Sequence, residues 1–342
     1  MEADALDVKP AVVSTTLGKI NKVLGTDLEM KQVEAIFARL KFETSVDNDT
    51  VTVTVPTRRG DITIEEDLIE EVGRLYGYDN LPTTLPVGPS TPGHLSEYQK
   101  KRRVVRRYME GAGLYQAVTY SLTSAEKSTQ YALDKREPVE LAMPMSEDRS
   151  LLRLSIVPQL LEVLKYNNAR QIDSVAVYET GAVFLKNNNE ELPEEREHLA
   201  AAITGLWESH PWQGEKKPVD FFVLKGIVEG LSAKLGLESQ LGFQKAQLDG
   251  LHPGRTAEIL LNGNVIGFIG QVHPTMQKSL DLKETYVFEL SLKALLEAET
   301  APLQYTAIPR FPSITRDIAL VVEKATAAGD LEKIITEAGG AL

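Results

Sequence analysis

Asp61, Asp67, Glu70 and Glu71 crowd into the stretch Pro56–Val72, where the sequence reads PTRRGDITIEEDLIEEV. Asp67, Glu70 and Glu71 stand at i, i+3 and i+4, which on a helix gathers three carboxylates on one face. Asp61 lies just ahead of that helix and is within reach to fold back toward them. Several hard oxygen donors converging on one point suit Mg²⁺, which takes carboxylates and retains waters. A plainer reading uses the same residues. Acids in the first turns are favoured by the helix dipole, and most charge runs are solvated faces. Arg74 also stands at helical spacing to neutralise Glu70 or Glu71. Spacing alone leaves both readings open.

Other residues with chemical potential are less organised. His94, His198, His210, His252 and His273 are scattered, with no pair at metal-ligand spacing. His252 and His273 precede prolines, a placement that suits turn geometry. Ser150 follows Asp148 and Arg149, without a nucleophile elbow or an identifiable histidine partner. The run Lys100-Lys101-Arg102-Arg103-Val104-Val105-Arg106-Arg107 places cations around much of a helix. It reads either as a solvated helix balanced by Glu97 and Glu110, or as a local contact for RNA or a subunit. Only Tyr98 and Tyr108 are near it for base stacking. No Walker loop or GxGxxG is present.

The elements that position these residues follow from hydrophobic period and punctuation. Val23, Leu24, Leu28, Val33, Ile36, Phe37 and Leu40 recur at helical spacing, broken by a turn at Gly25. Val51–Val55 alternates as a half-buried strand and Pro56 ends it. A helix is predicted from about Ile64 to Tyr76, with Ile64, Leu68, Val72, Leu75 and Tyr76 as its buried stripe. A proline-rich stretch over 81–93 is a stiff linker. Beyond it come alternating residues over Val175–Phe184, and a hairpin whose Asn262-Gly263 turn joins Ile259–Leu261 to Val265–Ile269. After a connector at Ala301–Pro312, a strand is predicted over Asp317–Val322 and a helix from about Gly329. The fold class is α+β. The domains are a small helix–strand–helix unit over 1–85, a linker over 86–95, a larger mixed unit over 96–300 and the start of another over 301–342.

The chain has 342 residues, 42% hydrophobic and 25% charged, enough for two or three domains with sizeable cores. It has no cysteine, so disulfides, thiolate zinc sites and cysteine nucleophiles are excluded, in keeping with a reducing cytoplasm. No apolar run approaches the roughly 20 residues that span a bilayer. The N-terminus lacks the order of a signal peptide, and both ends suit an excised piece of a longer protein. A net charge of −12 counts against a protein that coats nucleic acid, because phosphate binding rests on Lys and Arg.

Residues 55–82, VPTRRGDITIEEDLIEEVGRLYGYDNLP, resemble the signature of a small domain in bacterial phenylalanine–tRNA ligase β subunits. The likeness continues through Met143–Arg153, Pro158–Leu161, Tyr178-Glu179-Thr180-Gly181, His252-Pro253-Gly254-Arg255 and Gly270–Pro274. It ends in Pro309–Ser313 and Arg316–Ala319. The resemblance implies magnesium on Asp61, Asp67, Glu70 and Glu71. It implies a class II synthetase-like antiparallel sheet core over 96–300, and over 301–342 the truncated start of a ferredoxin-like anticodon-binding domain. In that family the core is a degenerate copy and ATP is used in the α subunit. The glycine-rich strand comparable to the ATP-binding motif, Gly263–Gly270, is followed here by Gln271, Val272 and His273 rather than arginine.

The expectation is therefore a non-catalytic β-subunit part with no catalytic residue of its own. It would support ATP- and Mg²⁺-dependent attachment of phenylalanine to tRNA(Phe) in a cytoplasmic α₂β₂ heterotetramer. Helix Ile156–Leu164 is a candidate for burying either a subunit interface or the chain's own core. A stand-alone nucleic-acid-binding module and a carboxylate–Mg²⁺ hydrolase centred on Asp61 are the rivals. The acidic helix argues against the first by repelling phosphate.

Overall fold

A computed structural model describes residues 9–187, 192–302, 304–305 and 307–340. The chain divides into two compact units, residues 1–93 and 94–342. Each is built around its own sheet.

The first unit begins with strand β1 (Ala11–Thr16), helix α1 (Leu17–Leu24) and helix α2 (Met30–Arg39). Gly25 ends α1 in the left-handed region at φ 69°, the punctuation read from the sequence. Strands β2 (Glu43–Asp47) and β3 (Thr50–Val55) follow, and then helix α3 (Glu65–Tyr76). The sheet is antiparallel in the order β1-β3-β2, so the predicted strand is its centre. Val51, Val53 and Val55 face a core that also takes Ile20, Val33, Phe37, Leu68, Ile69 and Val72. The edge strand β2 was not legible, because its sequence ETSVD is almost wholly exposed and carries no apolar alternation. On α3, Ile64 and the end of the predicted stripe depart from expectation. Ile64 is exposed at the N-cap, and Leu75 and Tyr76 are only partly buried.

The second unit opens with the basic helix α4 (Glu97–Gly111), which leads to a short edge strand β4 (Tyr115–Gln116). Two-residue strands β5 (Leu122–Thr123) and β6 (Leu151–Leu152) pair with each other, and helix α5 (Ala125–Ser128) lies between them in sequence. Then come helix α6 (Val157–Asn168), strands β7 (Val175–Leu185) and β8 (Glu194–Thr204), and a small hairpin of β9 (Leu206–His210) with β10 (Glu215–Pro218). Helix α7 (Phe221–Lys234) precedes β11 (Leu241–Lys245), β12 (Leu251–Leu261) and β13 (Asn264–Val272). Helix α8 (Pro274–Ser279), strand β14 (Thr285–Ser291) and helix α9 (Leu292–Glu297) complete the sheet region. Its seven strands run β11-β12-β13-β14-β8-β7-β4, antiparallel except for the β4–β7 pair. The α+β class and the antiparallel-rich sheet match the sequence reading.

Both faces of this sheet are covered. Val105 and Met109 of α4 and Leu224, Val228 and Leu231 of α7 join a core with Leu199, Ala201, Ile203 and Phe288. On the other face, Val157, Leu160, Leu161 and Leu164 of α6 pack with Ala200, Ala202 and Val287. Helix Ile156–Leu164 thus lines an internal core, and each fully buried leucine contributes about 1.5–3 kcal/mol there. Strand β8 is buried on both faces from Leu199 to Thr204, which explains why alternation did not reveal it. The Asn262-Gly263 hairpin forms as expected, with φ of 50° and 79° and Leu261 paired to Asn264. At Gly267 an added Cβ would sit 2.3 Å from the Glu289 carbonyl oxygen, so β13 needs glycine there to lie against β14.

The strand predicted over Asp317–Val322 does not form. Those residues are exposed, and no neighbouring strand among the described residues supplies the hydrogen bonds that a strand requires. The helix expected from about Gly329 is present as α10 (Ala328–Gly339).

Candidate functional site

The loop from Pro56 to Ile64 is fastened at several points before α3 begins. Arg59 N donates to Pro56 O at 2.8 Å, Arg58 Nη2 donates to Leu40 O at 2.7 Å, and Ile62 is buried in the small core. This leaves Arg59 beside α3. Its Nε and Nη2 donate to Asp61 at 2.9 and 2.6 Å, and its Nη1 and Nη2 each donate to Glu71 at 3.0 Å. Arg74 Nη2 adds a bond to Glu71 at 2.6 Å, with Nε at 3.2 Å. Glu71 is 4% exposed, so the face shared by Asp67, Glu70 and Glu71 is not uniformly solvated. Of the two partners that the sequence spacing offered Arg74, Glu70 and Glu71, the i, i+3 pairing with Glu71 forms.

The remaining acids have other partners. Asp67 Oδ2 accepts from the backbone N–H groups of Thr63 and Ile64 at 2.7 and 2.9 Å, capping the helix start. Glu70 is exposed and has no ion pair among the described residues. Glu65 and Glu66 pair with Lys19. The Arg59 fork holds the Glu71 carboxyl down to about 2 against the opposing cost of burial, with Arg74 assisting. Arg59 also lowers Asp61, and the Thr63 and Ile64 amides lower Asp67. Asp61 and Glu71 are brought together by a shared guanidinium, while Asp67 and Glu70 stand apart from it. As placed, the four do not fit a hard cation, since a guanidinium lies between two of them. Among the described residues, no group of three or more His, Cys, Asp or Glu is placed to hold a metal ion.

The larger unit holds two buried carboxylates that sequence reasoning missed. Glu179 is hydrogen-bonded by Arg153 Nη1 at 2.9 Å and Thr119 Oγ1 at 2.7 Å. Glu289 accepts from Ser155 Oγ at 2.6 Å and Ile156 N at 3.0 Å, at the start of α6, and its other oxygen is 2.7 Å from His198 Nδ1. The carboxylate sits between serine and histidine, so the serine does not meet the imidazole, unlike the order of a catalytic triad. Both partnerships join residues far apart in sequence, and no local spacing announces them. Ser150, the tempting nucleophile, donates to Glu147 O at 2.9 Å within a tight turn.

The basic helix is largely paired. Lys100 meets Glu97, Lys101 donates to Leu296 O at 2.8 Å, Arg102 meets Glu197, and Arg106 reaches Glu110 at 3.7 Å. Arg103 and Arg107 are exposed and have no ion pair among the described residues.

Residues 81–292 match the family described as phenylalanyl tRNA synthetase beta chain CLM domain, and residues 13–78 match the tRNA synthetase B5 domain. The chain belongs to the phenylalanyl-tRNA synthetase β-chain family. It is 57% identical over its whole length to the phenylalanine–tRNA ligase β subunit of Bacillus subtilis, 56% to that of Geobacillus kaustophilus over 99% of the chain, and 52% to that of Listeria innocua over its whole length. It spans 42% of each of these relatives. A pyrrolysyl-tRNA synthetase structure from Desulfitobacterium hafniense aligns with 58% of this chain and 68% of its own at TM-score 0.44 and 11% identity. The B5 match lies within the first unit and ends two residues after α3, so the acidic site is part of it. The CLM match ends at the first residue of α9. In this family member the glycine-rich β13 leads into α8, whose sequence is PTMQKS, and β14 leads into α9, LKALLE. Neither helix holds an arginine.

Proposed function

We propose that this chain is the central, non-catalytic part of a phenylalanine–tRNA ligase β subunit. It carries a catalytic α subunit, which uses ATP and Mg²⁺ to attach phenylalanine to tRNA(Phe) in a cytoplasmic α₂β₂ assembly. The observation that carries this reading is an exposed apolar surface beyond strand β4. Val118, Tyr120 and Tyr166 line an open cavity of about 600 Å³ with Arg149, whose guanidinium lies 3.7 Å from the Tyr120 ring centroid. Tyr115, Met143 and Met145 are also exposed. Aromatic residues, methionine and arginine are what the centre of a protein interface is enriched in. The relatives' name, β subunit, supplies the occupant: an α subunit seated on this surface. Helices α8 and α9, which lack arginine, support leaving the phosphate chemistry to that partner. No helix among the described residues is long and apolar enough to cross a membrane.

Contact with tRNA is part of the same proposal. Arg103 and Arg107 are the cations of α4 left for phosphate, a small footprint that suits one docking face better than a stand-alone nucleic-acid module. The test places Val118→Asp with Tyr120→Glu in the full-length β subunit co-expressed with its α subunit. Co-purification of α and charging of tRNA(Phe) are both expected to be lost, with the β subunit still folded. Retained co-purification would move the interface elsewhere. Charging by this chain alone would overturn the non-catalytic assignment.

A further inference from the structure

We propose that one end of the large sheet holds a binding site for a small apolar alcohol or phenol, whose hydroxyl lies between His198 and Ser291. The two residues stand directly opposite one another on β8 and β14. Opposed side chains share a sheet face with Cβ atoms about 4.5–5.5 Å apart, close enough for one small group to bridge their polar atoms. Both line an open cavity of about 530 Å³, a size that suits a small organic ligand. Its walls include the buried apolar side chains Leu154, Val183, Leu185 and Ile266.

The hydrogen bonds already made decide which ligand group fits. His198 Nδ1 lies 2.7 Å from Glu289 Oε1. Glu289 is fully buried and also takes the Ser155 hydroxyl and the Ile156 amide. The carboxylate is thus the acceptor, Nδ1 carries the proton, and the neutral ring presents Nε2 as an acceptor. Nε2 has no hydrogen-bond partner among the described residues, and the ring meets the cavity. Ser291 Oγ accepts from Ala294 N at 3.3 Å, which leaves its own proton to donate. An acceptor and a donor side by side call for a group that both donates and accepts. A hydroxyl does, whereas an ammonium only donates and a carboxylate only accepts. The charged rim asks for no ligand charge. Arg196 pairs with Glu194 at 2.7 Å and with Asp134 at 3.4 Å, Arg136 pairs with Asp134 at 2.9 Å, and Lys135 is exposed to water.

The probe is phenol, titrated at pH 8 against the purified chain labelled with ¹⁵N-histidine, in which five histidines give few signals to resolve. Phenol is expected to bind with a Kd on the order of 1 mM and to shift the Nε2 signal of His198. Fluorobenzene, close in shape but without the O–H, should bind about tenfold more weakly. Ser291→Ala and His198→Phe should each weaken phenol by about two- to tenfold and leave fluorobenzene unchanged. Val265→Trp, at a half-exposed position on the cavity wall, should weaken both probes. With Ser291→Ala it decides the matter if His198→Phe unfolds on a thermal melt. Equal affinity for phenol and fluorobenzene overturns the proposal, as does tighter binding of benzoate or benzylamine than of phenol. So does an His198 signal that stays in place while phenol is bound, or no phenol binding at about 10 mM.

Discussion

The two units bury carboxylates in different ways. In the small unit, Glu71 is satisfied by two arginines that reach it from the surface, with Arg59 24% and Arg74 42% exposed at the side chain. In the large unit, Glu179 meets an arginine that is itself 3% exposed, and Glu289 meets a serine, the N-terminus of α6 and a histidine, all inside the sheet. A buried charge costs several kcal/mol unless paired and hydrogen-bonded, so both solutions stabilise what would otherwise be a defect. Only the first leaves its cations next to water. The second is closed, and it ties α6, β7, β8 and β14 together. The contrast separates a cluster whose cations face water from closed ones, although each is built on a glutamate of similar burial.

The strongest attempt to break this contrast is Arg153→Met. It leaves Glu179 with Thr119 as its remaining partner inside the sheet, and equilibrium denaturation should show a loss of about 3–5 kcal/mol. A loss under about 1 kcal/mol would mean the pair is no more structural than a surface one. Gly181 adds a corollary at the same place, since a Cβ there would fall 2.3 Å from Arg153 Nη2, and Gly181→Ala should push the fork off Glu179.

Ser155→Ala is the next largest. It removes one bond to a charged acceptor while the Ile156 amide and His198 remain, and should cost about 1.5–3 kcal/mol by the same measurement. An unchanged midpoint would show that the Ile156 amide and His198 satisfy Glu289 without the serine.

The smallest effect sharpens the contrast through pH. Glu71 titrates near 4.5 when unfolded and is lowered to about 2 in the folded small unit. Its contribution is therefore present above 4.5 and fades as pH falls from there toward 2. Glu71→Gln should flatten the stability profile of the small unit within that window and lower stability above it, read by acid titration with a helix-sensitive probe. A parallel downward offset at every pH would show that another carboxylate carries the acid dependence.

Much of the small unit was legible because its signals are local. The alternation Val51–Val55, the stop at Pro56 and the helix predicted from about Ile64 to Tyr76 each depend on neighbours a few residues apart, and strand β3 and helix α3 formed within a residue of expectation. The Asn262-Gly263 turn was readable for the same reason, since the positive φ that it needs is a property of those two residues. Strand β8 was not, because burial on both faces erases alternation, and the expected strand Asp317–Val322 lacked a neighbour to pair with. In the site, the spacing of Asp67, Glu70 and Glu71 announced a charged helix face but not that Glu71 turns inward while Glu70 stays in water.

The sequence by itself determined which residues share a helix face, where chains turn and which family the motifs resemble, since each depends on residue type and short-range spacing. Only the tertiary structure decided which carboxylate is buried and which cation serves it. Arg59 lies twelve residues from Glu71 and Ser155 lies 134 from Glu289. Packing brings such groups together through loops and sheet registers whose geometry is set by the whole core, and no periodicity along the chain encodes that meeting.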